Sequence, residues 1–352
     1  MGRIRPSAGA AAVGAALAAD PGRIHEVQSA TPYAQLSPDA VLAAIEAAGY
    51  LTDGRVLALN SYENRVYQVG IDAAEPLVAK FYRPGRWTDA AILEEHGFAL
   101  ELAALEIPVI APLAREGATL HAHGGFRYAL FARRGGRWPE LGSTEEREWV
   151  GRFLGRIHSA GRAGAFLHRA PLRPEELGRK SRDYLLEGGW LPDYLEEKYA
   201  DLTETLLEEV ERRAGDWGGA RVARIHGDCH RGNILWTDAG PHFVDLDDCL
   251  AGPAVQDLWM LLAGGAEEMR AQLIDLLAGY EQFLPFDRRE LALIEPLRAL
   301  RMMHYCAWIA RRWQDPAFPR AFPWFAEPRY WEEHYRALDE QLGAVDSPPL
   351  EL

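Results

Sequence analysis

Apolar and polar positions fall into two regimes along this chain. Between about residues 34 and 134, short apolar runs bounded by turn residues predict strands, with two helices among them. From residue 143 onward, apolar residues recur every three to four positions, which predicts amphipathic helices interrupted by one strand pair near residues 234–245.

Ser37-Pro38-Asp39 opens the first helix, with Ser as N-cap and Pro at the first helical position. Val41, Leu42, Ile45 and Ala48 form its apolar stripe and Gly49 ends it. Residues 56–59 and 66–69 read as strands around the loop 60–65, and residues 76–82 as a third strand. A helix over 88–105, capped by Thr88, precedes a hairpin of residues 119–121 and 126–131 joined across His123-Gly124-Gly125. The Gly-rich, basic segment 132–137 marks a hinge, its arginines read as solvated. Ser143-Thr-Glu-Glu resembles a capping box, and Trp149, Phe153, Leu154, Ile157 and His158 line one face of the helix that follows. Residues 184–210 suggest two more helices. Gly252-Pro253 breaks the chain before a helix from about Val255. Residues 288–342 read as helical, their Trp and Tyr as core, with the four prolines of 313–330 marking an irregular connection.

Composition narrows the function classes. A chain of 352 residues is long enough for two lobes with their own cores. A net charge of −14 argues against a general nucleic-acid binder. Three scattered cysteines, Cys229, Cys249 and Cys306, make no disulfide framework and point to a reducing compartment. There is no run of 18 apolar residues and hence no expected membrane span. Residues 7–19 are Ala- and Gly-rich after Arg3 and Arg5, loosely like a signal peptide, but lack its Leu/Val/Phe density. Residues 1–33 are expected to form a poorly ordered extension.

The candidate chemistry lies in residues 225–248. Asp228 is followed five residues later by Asn233, and then, across a predicted hairpin, by Asp245. A phosphoryl-transfer loop needs these groups: one carboxylate to orient and deprotonate the acceptor hydroxyl, and an amide oxygen and a second carboxylate for Mg²⁺. The alternatives are a hairpin with incidental polar residues, or a zinc or iron site from His226, Cys229 and His230. The spacing of the latter fits no structural zinc pattern. Lys80, within an apolar strand, is the candidate phosphate ligand. Phe98, Leu102 and Leu105 put Glu95 on the buried stripe of its helix, so Glu95 is favoured over Glu94 as the Lys80 partner. On an extended chain Asp247 shares a face with Asp245, and either meets a second Mg²⁺ or accepts backbone hydrogen bonds.

Asn60-Ser-Tyr-Glu-Asn-Arg-Val-Tyr67, His226-Gly-Asp-Cys-His-Arg-Gly-Asn-Ile-Leu-Trp236, Val244-Asp-Leu-Asp-Asp248 and Gly252-Pro-Ala-Val-Gln-Asp-Leu-Trp-Met260 resemble the stress response kinase A family. That family is a bacterial branch of the aminoglycoside phosphotransferase- and choline kinase-like enzymes. The resemblance implies an α+β, protein kinase-like bilobal fold. An N-lobe (34–134) of antiparallel sheet plus helix would cover the nucleotide. A mainly helical C-lobe (135–352) would carry the catalytic β-hairpin. It further implies a cytoplasmic, monomeric enzyme that uses ATP and Mg²⁺ and acts on protein serine and threonine, its own included. By residue, it implies Asp228 and Asp245 as catalytic, Asn233 and Asp245 as metal ligands, and Ser61, Lys80 and Glu95 as nucleotide-site residues, with Asp257 tying down the catalytic loop. Ser61 alone would read as a turn serine, and its loop lacks the glycines usual over ATP phosphates. His226 is expected to set the loop conformation, and His230 to be either structural or a substrate contact. A small-molecule kinase for an amino alcohol, sugar or aminoglycoside is the rival reading, and an ATP-binding regulator without chemistry the third.

Overall fold

The computed structural model describes residues 31–352. The expected extension therefore lies outside the described residues, except for its last three. Of these, Tyr33 is in place, its hydroxyl donating to the carbonyls of Glu63 (3.1 Å) and Phe81 (3.3 Å).

The N-lobe runs α1 (Pro38–Ala47), β1 (Thr52–Leu59), β2 (Arg65–Ile71), β3 (Leu77–Phe81), α2 (Asp89–Ala104), β4 (His121–His123) and β5 (Phe126–Ala132). The strands form one antiparallel sheet in the order β1-β2-β3-β5-β4. Ser37 and Thr88 cap α1 and α2 through their hydroxyls, accepting from the amides of Ala40 and Ala91. Val41 and Ile45 of α1 pack with Ala79, Phe81 and Tyr128 on one face of the sheet. Strand alternation sends Lys80 to the other face, towards α2. His123, expected in the turn, pairs with Phe126 instead. Gly124 and Gly125 both have positive φ (57° and 83°) and make the whole turn, the two-residue geometry that matches strand twist.

The C-lobe contains α3 (Thr144–Gly161), α4 (Lys180–Glu187), α5 (Asp193–Ala214), β6 (Ala223–Ile225), β7 (Ile234–Thr237), β8 (Gly240–Phe243), β9 (Leu250–Gly252), α6 (Val255–Trp259), α7 (Ala266–Tyr280), α8 (Ile294–Arg311), α9 (Ala317–Ala321) and α10 (Pro328–Asp346). No helix among the described residues is long and apolar enough to cross a membrane. The segment 313–330 is more regular than expected. Pro316, Pro323 and Pro328 start helical turns, where a missing N–H costs nothing. Phe318 and Phe325 are fully buried.

Helix α3 is rotated from the face its large residues suggested. Trp149 and Phe153 are only half-buried, and the buried face carries Val150, Gly151, Leu154, Gly155 and Ile157. A Cβ on Gly151 would run into the Leu276 carbonyl, and one on Gly279 into that of Glu148, so α3 and α7 cross backbone against backbone. The glycine spacing, rather than the aromatics, was the signal for this face.

Two backbone contacts tie the hinge and the N-lobe to the β7–β8 hairpin. Arg137 and Trp236 exchange backbone hydrogen bonds (3.0 and 2.7 Å). The segment after α2 does the same with β8, through Phe243 N to Pro108 O (2.7 Å) and Ile110 N to Phe243 O (3.0 Å). Above them, the β1–β2 loop docks on α8. Glu63 accepts from Trp308 Nε1 (2.6 Å) and Arg312 Nη2 (2.9 Å), and Asp315 receives Arg65 (3.2 Å) and Arg83 (2.7 Å). Burial alone would raise the Glu63 carboxyl. Arg312, Arg86 and Arg83 outweigh it and hold the group down at about 2.

Two outcomes are expected. Gly279→Ala should destabilise by about 2 kcal/mol or more, because backbone must move. Gly343→Ala, with nothing within 4 Å of its added methyl on an exposed helical face, should be neutral or slightly stabilising. Denaturant midpoints would separate the two. Glu63 has a depressed folded pKa, so its contribution, about 3 kcal/mol, is complete above its unfolded value and is lost as pH falls through about 2. Glu63→Gln should thus lower stability at pH 7 and flatten its decline between about pH 5 and pH 3. Parallel acid slopes for the two proteins would refute this account.

Candidate active site

The catalytic loop follows β6, which pairs with β9. Asp257, fully buried on α6, accepts the amides of His226 (2.7 Å) and Gly227 (2.8 Å) and is itself held by His158 Nε2 (2.9 Å). His226 Nε2 lies 2.9 Å from the Val244 carbonyl, tying the loop to the strand that leads into Asp245. Gly227 sits at φ +84°, and a Cβ there would collide with the Asp248 carbonyl, so the turn into Asp228 requires glycine.

Asp228 stands at the end of this fixed turn. Arg301 Nη1 donates to its Oδ1 (2.8 Å), and His230 Nε2 lies 3.4 Å from Oδ2. Burial would raise its carboxyl, but the His230 hydrogen bond and the Arg301 charge prevail and hold it well below the usual carboxylate range. Asn233 donates Nδ2 to the Asp228 carbonyl (3.0 Å), and its own carbonyl accepts the Val244 amide (3.0 Å). Asp228, Asn233 and the entry to Asp245 are therefore one hydrogen-bonded unit.

The hairpin turn is shorter than expected: only Asp238 and Ala239 separate the strands, since Gly240, at φ +95°, already pairs with Thr237. The chain after it is not extended. Asp245 is left-handed (φ 58°, ψ 62°) and leads into a short helical turn of Leu246–Asp248. Asp245 is half-exposed and Asp247 buried, yet both reach Lys80 Nζ, at 2.9 and 3.1 Å. Extended geometry would have put the two on a common face. The left-handed residue brings them together at one cation instead.

Lys80 is the centre of a buried charge network. Besides those two carboxylates it meets Glu95 Oε1 at 3.4 Å. Burial opposes its charge, but Asp245, Asp247 and Glu95 raise its pKa well above the ordinary lysine value. Burial raises the Glu95 carboxyl, against the pull of Lys80. Glu94 lies elsewhere, accepting the amides of Leu167 (2.6 Å) and His168 (2.7 Å). Asp247 also takes Asn64 Nδ2 (3.2 Å) and Arg86, whose other arm meets Asp248 at 2.5 Å. Its oxygens thus face side-chain donors, not the backbone donors that were one of the two expectations. Buried Arg169 ties Asp247, Cys249 and Ala91 together through their carbonyls.

The loop over this network turns without glycine because none of residues 60–65 has a positive φ. Ser61 Oγ donates to the Asn64 carbonyl (2.8 Å), so the hydroxyl braces the loop. Asn64 Oδ1 accepts the Arg83 amide (3.1 Å), fixing the loop to β3. Asn64, Arg86, Arg169 and Arg301 were missed in the sequence. The only local signal was the pair of arginines in Arg83-Pro-Gly-Arg86, just beyond the lysine strand.

Asn233 and Asp245 fit a hard divalent cation. The Asn233 nitrogen is committed to the loop, which leaves its amide oxygen as ligand, and the Asp245 carboxylate is half-exposed. Two protein oxygens are too few alone, and no cluster of three or more His, Cys, Asp or Glu among the described residues is arranged to hold a metal. Magnesium carried in on a phosphate matches that shortfall, because it keeps waters and phosphate oxygens as its remaining ligands.

Residues 55–294 match the model of the phosphotransferase enzyme family. Stress response kinase A of Escherichia coli (strain K12) is 45% identical over 324 residues, 92% of this chain and 98% of that one. The serine/threonine protein kinase RdoA of Salmonella typhimurium (strain LT2) is 45% identical over 325 residues, with the same coverage. Among solved structures, a microcompartment-associated aminopropanol kinase (TM-score 0.65, 17% identity, 87% of this chain and 98% of that one) is similar in fold. So is the amicoumacin kinase hAmiN, solved with AMP-PNP, Ca²⁺ and its ligand (TM-score 0.63, 20% identity, 85% and 94%). With the loop, the lysine network and these matches together, the chain belongs to the phosphotransferase enzyme family and is an ATP-dependent kinase of the stress response kinase A type.

Proposed function

We propose that this kinase transfers the γ-phosphoryl group of Mg-ATP to serine and threonine hydroxyls of proteins, its own included. The observation that carries the reading is the fixed unit of Asp228, Asn233 and Asp245 beneath Lys80. The names of the relatives at 45% identity over almost the whole chain support the protein acceptor. Three free, buried cysteines suit a cytoplasmic setting.

Magnesium, bound by the Asn233 amide oxygen and the Asp245 carboxylate, would neutralise charge on the transferring phosphoryl group. Lys80 supplies a fixed cation for the phosphates, prepared by Glu95 and kept charged by its surroundings. Asp228, held strongly acidic, is a weak base. It suits orientation of the hydroxyl and late proton acceptance, as a loose phosphoryl transition state requires, rather than early deprotonation. Backbone amides of residues 60–64 and the Ser61 hydroxyl, once rotated, are the remaining phosphate donors. Most of the rate then comes from position and electrostatics.

Transfer of labelled phosphate from Mg-ATP to the kinase itself, to a generic protein and to a panel of amino alcohols and sugars tests the reading. Label should appear on protein serine or threonine, and Asp228→Asn should reduce it roughly 10²–10⁴-fold while leaving nucleotide binding intact. Label confined to small molecules would overturn the acceptor assignment. Asp245→Asn should abolish the Mg²⁺-dependent part of ATP affinity in calorimetry. Equal affinity with and without Mg²⁺ in the unaltered protein would remove the metal site.

A further inference from the structure

Arg301 has no part in the mechanism above, yet it is the residue in closest polar contact with Asp228. It projects from α8, donates Nη1 to Asp228 Oδ1 at 2.8 Å, and its side chain remains 41% exposed. Among the described residues no other hydrogen bond or ion pair engages its guanidinium, which leaves most of its donors open to a ligand. Nearby groups continue the same character. His230 stands on the other oxygen of Asp228, its side chain 40% exposed. Tyr305, one turn along α8, is exposed and within electrostatic reach of both Arg301 and Tyr62. Tyr62 is also exposed and leans on Phe322 (ring centroids 5.1 Å). On the α8 side the approach to the base is thus a cation followed by tyrosines; the half-exposed Asp248, within electrostatic reach of Asp228, is engaged by Arg86. An acceptor bearing an ammonium group needs the reverse, carboxylates beside its hydroxyl.

We propose that Arg301 is a specificity residue that selects acceptor hydroxyls flanked by a carboxylate and rejects those flanked by an amine. This rests on the protein-kinase reading and narrows its acceptor to serine or threonine in an acidic segment. In the free enzyme Arg301 occupies Oδ1 of Asp228. An acceptor carboxylate takes over the guanidinium, in the bidentate geometry that arginine favours. Oδ1 is then released to receive the hydroxyl. A guanidinium displaced from Oδ1 by no more than one hydrogen-bond length stays about 5 Å from that hydroxyl. At about 3.5 Å of chain per residue, the selected Asp or Glu lies within two residues of the phosphorylated one. Binding of the acceptor then moves the Arg301 ion pair onto the substrate, and Asp228 is left with His230 and the acceptor hydroxyl as partners.

The test uses the full-length enzyme and peptides of one sequence whose central serine is flanked at the first and second positions by Asp, Ala or Lys. At low salt kcat/KM should rank Asp above Ala above Lys, with roughly tenfold or more between the extremes, carried mainly by KM and compressed by added salt. Arg301→Gln should collapse the ranking and Arg301→Glu reverse it. Arg301→Lys should preserve its order. Stabilisation of each variant by Mg-ATP in a melting experiment shows whether fold and nucleotide site persist. If peptides are phosphorylated but Lys-flanked ones do as well as Asp-flanked ones, the Arg301 assignment is wrong and the protein-kinase reading stands. Should no peptide or protein accept phosphate while an amino alcohol does, both fall. The ranking in the unaltered enzyme decides the matter even if a variant fails to fold.

Discussion

Everything in the nucleotide-facing half of this enzyme depends on one buried ammonium. Lys80 is drawn out of water by the sheet and surrounded by Glu95 from α2 and by Asp245 and Asp247 from the segment after the hairpin. An isolated buried charge is untenable, and removing one partner of a buried pair typically costs several kcal/mol. The three carboxylates therefore have to be where they are, and two lobes are locked in register to keep them there. Arg86 and Arg169 complete the balance by taking Asp247, Asp248 and Glu95.

A second constraint operates on the catalytic loop, and it is one of rigidity. Asp257 spends both oxygens on backbone amides, and His158 and Gln256 hold the surrounding groups. The buried polar groups here are nearly all paired, the condition under which such networks specify one conformation. The Asp228 carboxylate is thus presented from a frame already fixed by backbone and side-chain hydrogen bonds.

What could be read from the chain followed distance along it. Asp228, Asn233 and Asp245 lie within one hairpin, so spacing alone revealed them. Lys80 was noticed as a lysine inside an apolar strand, and Glu95 followed from the apolar stripe of α2. Arg301 is 73 residues from Asp228, and Arg169 is 78 from the Asp247 carbonyl it holds. No local pattern links such pairs, and an arginine on a helix looks solvated until the fold supplies its partner. The extended reading of residues 245–247 failed for a different reason. A left-handed non-glycine residue is costly in isolation, and only the surrounding network over-determines it. Aromatic side chains also misled the reading of α3, where the small residues decide how close two helices come.

Helix α8 has a consequence of another kind. Near its middle it carries Arg301 on Oδ1 of Asp228. At its far end Trp308 and the adjoining Arg312 grip Glu63 in the loop above the Lys80 network. About 10 Å of continuous helix separates Arg301 from Trp308. One helix thus serves as the common support of the Asp228 carboxylate and of the loop above Lys80, so a substitution that shifts α8 disturbs both contacts together.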